Sequence, residues 1–278
     1  MHLLDGKRLA DQIQTELKEQ QASRTFTPTL AVMIVGDDPA SHLYVRMKHR
    51  VGEELGLDIQ IHPFPASTPT QTLIDQIHQW NQDRTIHGIL VQVPLPVGHD
   101  ESTIINEMSP DKDVDGFHPE NIALLEGGNP TLLSPVHEGI LRLINQAPVS
   151  INGVQTTIIG NSEIFTKPLA HLLETAGSIV HVMSADGLDR DWLKTSEIVI
   201  IAIGRAHFLK PKDVRDDAVI IDVGTTRDGN KKIWGDVDIE RFTDTDCWIT
   251  PVPGGVGPMT IALLMRNVIK CADKQQKS

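Results

Sequence analysis

Tyr44 and Lys48 stand four residues apart in a stretch whose pattern predicts a helix, so both side chains leave one face and can serve one ligand. Tyr44 is the single tyrosine of the chain. The spacing suits a surface lysine whose stem lies on the ring. It also allows an aromatic platform beside an amine that partial burial primes for acid/base work. Gln92, in Val91-Gln92-Val93-Pro94-Leu95-Pro96, is a lone amide in an apolar strand and needs partners, from the fold or from a ligand. The prolines end that strand, and its C-terminal end is where α/β sheets place ligands. Asp111-Lys112-Asp113-Val114-Asp115-Gly116 begins like a calcium loop, but the twelfth position is Ile122 rather than a bidentate Glu, so no metal is expected. The loop is then either a solvated acidic turn or the source of a carboxylate that grips a guanidinium-like amide edge.

Alternating strand-like and helical stretches must position these groups. Leu9 to Gln20 reads as an amphipathic helix, and Thr29–Val35 as a buried parallel strand. Asp38-Pro39 opens the helix that carries Tyr44 and Lys48, and Gly56 ends it. Ile86–Val93 is the next strand. Further apolar strands are predicted at Gln155–Ile159, Ser178–Met183, Ile198–Ile203 and Ala218–Val223, an alternation that implies a doubly wound, Rossmann-like parallel sheet. The turn Gly160-Asn161-Ser162 sits between strand and helix, where phosphates are cradled, but it does not match G-x-G-x-x-G. Pro251 to Thr260 holds three glycines framed by three prolines, either for close backbone approach to a ligand or as a hinge. A helix from about Met259 to Cys271 follows and is expected to return to the first domain.

The 278 residues suit two α/β domains. A formal charge of −12 speaks against nucleic acid or an anionic membrane as partner. Two cysteines without a CxxC pair suit a reducing compartment. Met1 to Lys7 lacks the apolar stretch of a signal peptide, so a cytoplasmic address is expected.

Four segments, in this order, resemble the methylenetetrahydrofolate dehydrogenase/methenyltetrahydrofolate cyclohydrolase family: Tyr44-Val45-Arg46-Met47-Lys48, Val91 to Pro96, Asp113-Val114-Asp115-Gly116, and Pro253-Gly-Gly-Val-Gly-Pro-Met-Thr260. The resemblance covers nearly the whole chain. It implies a folate-binding catalytic domain at 1–133, completed by a C-terminal helix at 259–278, a Rossmann-like domain at 134–258, a cleft between them and a homodimer. Lys48 would be the acid/base or water-activating residue, Gln92 would position it, Tyr44 would stack on the aminobenzoate and Asp115 would hold the pterin. Val45, Val91, Val93 and the run Pro253, Gly254, Gly255, Val256 and Gly257 would line the folate pocket. Gly160, Asn161, Ser162, Ser184 and Thr225 would meet the nicotinamide cofactor. The implied reactions are oxidation of 5,10-methylenetetrahydrofolate and hydrolysis of the methenyl product to 10-formyltetrahydrofolate.

The cofactor side departs from the family pattern. Asn161, Phe165 and Thr166 replace the Arg, Val and Gly of G-R-S-x-x-V-G-x-P, and Met183-Ser184-Ala185-Asp186 stands for H-S-R/K-T. Groups expected for a 2′-phosphate are missing and a carboxylate stands nearby, so NADP is not expected to be preferred over NAD. Two other readings stay open: a cyclohydrolase with a degenerate dinucleotide site, and a folate-binding paralogue without catalysis. Lys48 paired with Gln92 speaks against the second, because binding alone does not need that pair.

Overall fold

The computed structural model describes residues 1–227 and 232–277. In chain order the elements begin with β1 (His2–Leu3), α1 (Gly6–Ala22), β2 (Thr29–Val35), α2 (Pro39–Glu54), β3 (Asp58–Phe64), α3 (Thr70–Gln82) and β4 (Gly88–Val91). Short helices α4 (Glu101–Ile105), α5 (Pro119–Glu126) and α6 (Pro135–Ile144) follow. Then come β5 (Gln155–Gly160), α7 (Glu163–Thr175), β6 (Ile179–Met183), α8 (Arg190–Thr195), β7 (Ile198–Ala202) and β8 (Val219–Asp222). The chain closes with β9 (Thr226–Arg227), β10 (Ile233–Trp234), β11 (Trp248–Ile249) and α9 (Val256–Gln276). No described helix is long and apolar enough to cross a membrane.

Two compact units share the chain. One holds residues 11–135 and 261–278, the other residues 1–10 and 136–260. The first is built on a parallel sheet of order β3-β2-β4. Every residue of β2 is buried, as its unbroken apolar sequence requires of a central strand. Burial of Leu30, Val32 and Ile34 contributes about 1.5–3 kcal/mol each. The α2 helix starts where expected: the Asp38 carboxylate accepts from Ser41 N–H at 2.7 Å, Pro39 takes the first turn, and Gly56 at φ +76° turns the chain away. The last helix does pack in this unit: Asn267 Nδ2 donates to the carbonyls of Val114 and Leu133, both at 2.9 Å. It begins at Val256, three residues before the predicted start; Ser278 lies outside the described residues.

The second unit carries a six-stranded parallel sheet of order β1-β11-β8-β7-β5-β6. Its core includes Ile159, Val199, Ile201, Ile220 and Phe242. The expected first segment, 1–133, differs from this division at its start. His2–Leu3 pair with Trp248–Ile249, which ties the N-terminus to the six-stranded sheet. At Gly6 a Cβ would lie 2.0 Å from the Gly255 carbonyl oxygen, so a bare backbone is required there.

Candidate active site

Local register assembles a charged cluster in the three-stranded unit. Gln92 stands one residue past β4 rather than inside a strand, yet its N–H still continues the ladder to Met33 O at 2.9 Å. An isolated parallel bridge pairs Ile89 with Asp113. Two residues further on, Asp115 is therefore carried level with Val91, beside the C-terminal end of β4. Asp113 fixes that loop: its carboxylate accepts from Gly116 N–H at 3.0 Å, His118 N–H at 2.8 Å and Asn121 Nδ2 at 3.0 Å. Gly116 at φ +72° makes the turn.

Lys48 reaches the same place from α2. It is 8% exposed, and Nζ donates to Gln92 Oε1 at 2.9 Å. Gln92 Nε2 donates to Val93 O at 2.7 Å, which fixes the amide so that its oxygen faces the amine. Burial lowers the Lys48 pKa from its ordinary value, and the charge of Asp115 opposes that shift. Asp115 moves the other way: burial and the neighbouring Asp113 push its carboxyl up to about 6, against the pull of Lys48. An amine nearer neutrality beside a carboxyl nearer protonation is a pair tuned for proton transfer.

Lys48, Gln92 and Asp115 are thus brought together, and half-buried Tyr44 lies one turn before Lys48 on α2. Val45 and Val91 are core residues, 2% and 4% exposed, whereas Val93 is half-buried at the strand end. Pro253, Gly254, Gly255, Val256 and Gly257 belong to the six-stranded unit, where Pro253 is exposed and Gly255 and Val256 are buried. The acidic loop divides its labour. Asp111 pairs with Lys274 at 2.6 Å, Asp113 shapes the turn and Asp115 couples to Lys48. Asp113 was missed as a shaping residue, although an Asp two places before Asp-Gly is a common turn-maker.

In the six-stranded unit, Gly160 ends β5 and Ser162 precedes α7 without a side-chain cap bond. A Cβ on Gly160 would fall 2.8 Å from Thr166 Cγ2, so the strand-to-helix turn is tight. Asn161, Ser162, Ser184 and Thr225 are exposed around the C-terminal ends of β5, β6 and β8. Phe165, which replaces the family's Val, lies against His137 with ring centroids 5.3 Å apart and the rings tilted by 46°.

The family model for the tetrahydrofolate dehydrogenase/cyclohydrolase catalytic domain matches residues 4–115, and that for the NAD(P)-binding domain of the same family matches residues 134–276. The chain belongs to this family. The bifunctional protein FolD of Lactococcus lactis subsp. lactis is 41% identical over 279 residues, which span 99% of this chain and 98% of its own. The bifunctional FolD methylenetetrahydrofolate dehydrogenase/cyclohydrolase of Campylobacter jejuni has a crystal structure that superposes with TM-score 0.92 at 37% identity, covering 99% of each chain. The Trypanosoma brucei enzyme, crystallised with NADP and an inhibitor, superposes with TM-score 0.93 at 28% identity, covering 99% of this chain and 98% of its own. Two basic groups of the departing cofactor motifs and their surroundings are already engaged. Arg205 grips Asp186 through bonds of 2.8 and 3.3 Å, and Lys167 pairs with Glu163 at 2.6 Å.

Proposed function

We infer that this chain oxidises 5,10-methylenetetrahydrofolate to the 5,10-methenyl form with a nicotinamide cofactor and hydrolyses that product to 10-formyltetrahydrofolate. The observation that carries the reading is the buried Lys48 amine, held by Gln92 at 2.9 Å and coupled to Asp115, in a family member matched across both halves.

Each residue has a role that its surroundings support. Gln92 Oε1 takes one Lys48 hydrogen and so sets the direction of the rest of the amine. In its neutral form Lys48 accepts a proton from the water that attacks the methenyl carbon; as ammonium it returns that proton to the nitrogen that leaves, and the remaining hydroxyl proton passes to solvent as the formyl carbonyl forms. Asp115, ionised above about pH 6, accepts two hydrogens from the pterin amide edge. Tyr44 offers its ring to the aminobenzoate, and Val93 at the end of β4 supplies an apolar contact to the folate.

A dinucleotide fits the six-stranded unit: a tight glycine turn leads into the N-terminus of α7, whose N–H groups have no side-chain cap from Ser162. Gly160, Asn161, Ser162, Ser184 and Thr225 would hold it, and when bound it supplies the hydride acceptor. Asp186 lies just past the second strand of this Rossmann-like order, where a carboxylate accepts from a ribose 2′-OH and repels a 2′-phosphate. The proposal is therefore NAD used at least as well as NADP. It also includes a homodimer and a cytoplasmic address, the latter supported by two free, buried cysteines.

Purified protein given methylene substrate with each cofactor, and separately methenyl substrate alone, tests the reading. Activity in both assays is expected. Hydrolysis without any cofactor reduction would leave a cyclohydrolase only, and silence in both would leave a binding protein.

A further inference from the structure

Two buried aspartates interlock in the six-stranded unit. Asp222 ends β8 and Asp236 follows β10; they are 2% and 0% exposed. Asp222 accepts from Asp236 N–H at 3.0 Å through Oδ1 and from Val237 N–H at 2.9 Å through Oδ2. Asp236 in turn reaches the segment that leaves β7. Its Oδ2 accepts from Ile203 N–H at 2.7 Å and Gly204 N–H at 3.1 Å, and its Oδ1 accepts from Arg205 N–H at 2.7 Å. Two glycines make the room. A Cβ on Gly224 would lie 2.0 Å from Asp236 Oδ2, and one on Gly235 would lie 2.0 Å from Asp222 Oδ2. A buried carboxylate is costly, and convergent N–H donors of this kind offset the cost. Gly204, at φ +67°, gives the segment its bend.

The location gives this anchor a use. Gly160 at the end of β5 is the register partner of Ala202 at the end of β7, while β6 lies on the other side of β5. The strand order thus reverses at β5 and β7, and open α/β sheets take their ligands at the carboxyl ends of such a pair. Gly160–Ser162 leaves on one side of that point and Ile203–Arg205 on the other. Arg205 also carries the guanidinium that grips Asp186.

We propose that Asp236, itself fixed by Asp222, is a positioning residue for dehydrogenation: it holds the Ile203–Arg205 turn in the shape that meets the dinucleotide, without touching cofactor or folate. The proposal rests on the cofactor reading given above. Nothing in the hydrolytic step calls on this turn, so the two activities of one preparation report on it separately.

The test is Asp236→Asn, which keeps size but aims an amide donor at a backbone donor. Steady-state kinetics would be measured for both reactions, with direct titration of NAD⁺ and NADP⁺ by calorimetry. The KM and Kd for the dinucleotide should rise roughly ten- to a hundredfold, the effect of one charge-assisted hydrogen bond. Methenyl hydrolysis should stay within about twofold of the parent, a split that general unfolding does not produce. If Asp236→Asn does not fold, Gly224→Ala carries the same test, because it keeps the carboxylate but displaces it. Unchanged cofactor binding, or equal losses in both reactions, would overturn the anchor while leaving the cofactor reading intact. A parent protein that binds neither dinucleotide would instead overturn the cofactor reading, and the anchor with it.

Discussion

Replacing Lys48 by Met removes the amine and keeps most of the stem. In the folded protein the amine donates to Gln92 at 2.9 Å. A bond to a charged group contributes about 1.5–3 kcal/mol when its partner is left in place. Against that, the variant no longer buries a cation at a site where burial already lowers the lysine pKa. The two effects have opposite signs and similar size, so thermal stability should change little. Hydrolysis should not share that tolerance. A positioned acid/base group typically contributes about 10²–10⁴ in rate, or roughly 3–5.5 kcal/mol of barrier. The Asp115 carboxyl, which the Lys48 charge pulls down, should move above about 6 once that charge is gone. The assay is the loss of methenyl substrate absorbance with parent and variant at equal concentration, alongside a melting curve of each. Hydrolysis within about tenfold of the parent, in a folded variant, would refute the role given to Lys48.

Asp115→Asn turns one acceptor into a donor, so folate affinity should fall by roughly one to two decades in calorimetric titration. A carboxyl whose folded-state pKa is raised adds stability that is complete below its ordinary value near 3.8 and is lost as pH rises through about 6. Relative to the parent, Asp115→Asn should therefore gain melting temperature between pH 4 and pH 7.5. Gly6→Ala would drive a Cβ to 2.0 Å from Gly255 O and should cost about 1–3 kcal/mol in urea denaturation. Asp186→Ser removes the carboxylate that Arg205 grips and should raise the ratio of NADP⁺ to NAD⁺ kcat/KM. A ratio that stays fixed would displace Asp186 from the ribose site.

What the sequence disclosed was set by how local each signal is. The β2 strand is legible because a central strand buries both faces, and α2 because Asp38, Pro39 and Gly56 mark its ends. The β3 strand, with Pro63 and alternating exposure, hides as an edge strand; Pro is tolerated there because one side of the ladder is open. The α3 helix follows Pro69 without a side-chain cap bond, so no capping residue marks its start. Strands β1 and β11 are two residues each and exist through a pairing 246 positions apart, which no local pattern announces. The same holds for the site. Lys48 and Tyr44 show themselves by helical spacing, whereas the meeting of Lys48 with Asp115 depends on the Ile89–Asp113 bridge. Asp236 reads as a loop residue until its three backbone donors, about thirty positions away, are seen.

The central claim is that one chain couples both reactions, and product stoichiometry tests it most directly. Purified protein, excess methylenetetrahydrofolate and NAD⁺ should give reduced cofactor and 10-formyltetrahydrofolate in equal amounts, measured by absorbance and by mass spectrometry of the same sample. Lys48→Met should form 10-formyl product about 10²–10⁴-fold more slowly than the parent. A preparation that hydrolyses methenyl substrate but reduces neither NAD⁺ nor NADP⁺ when given methylenetetrahydrofolate would contradict the account.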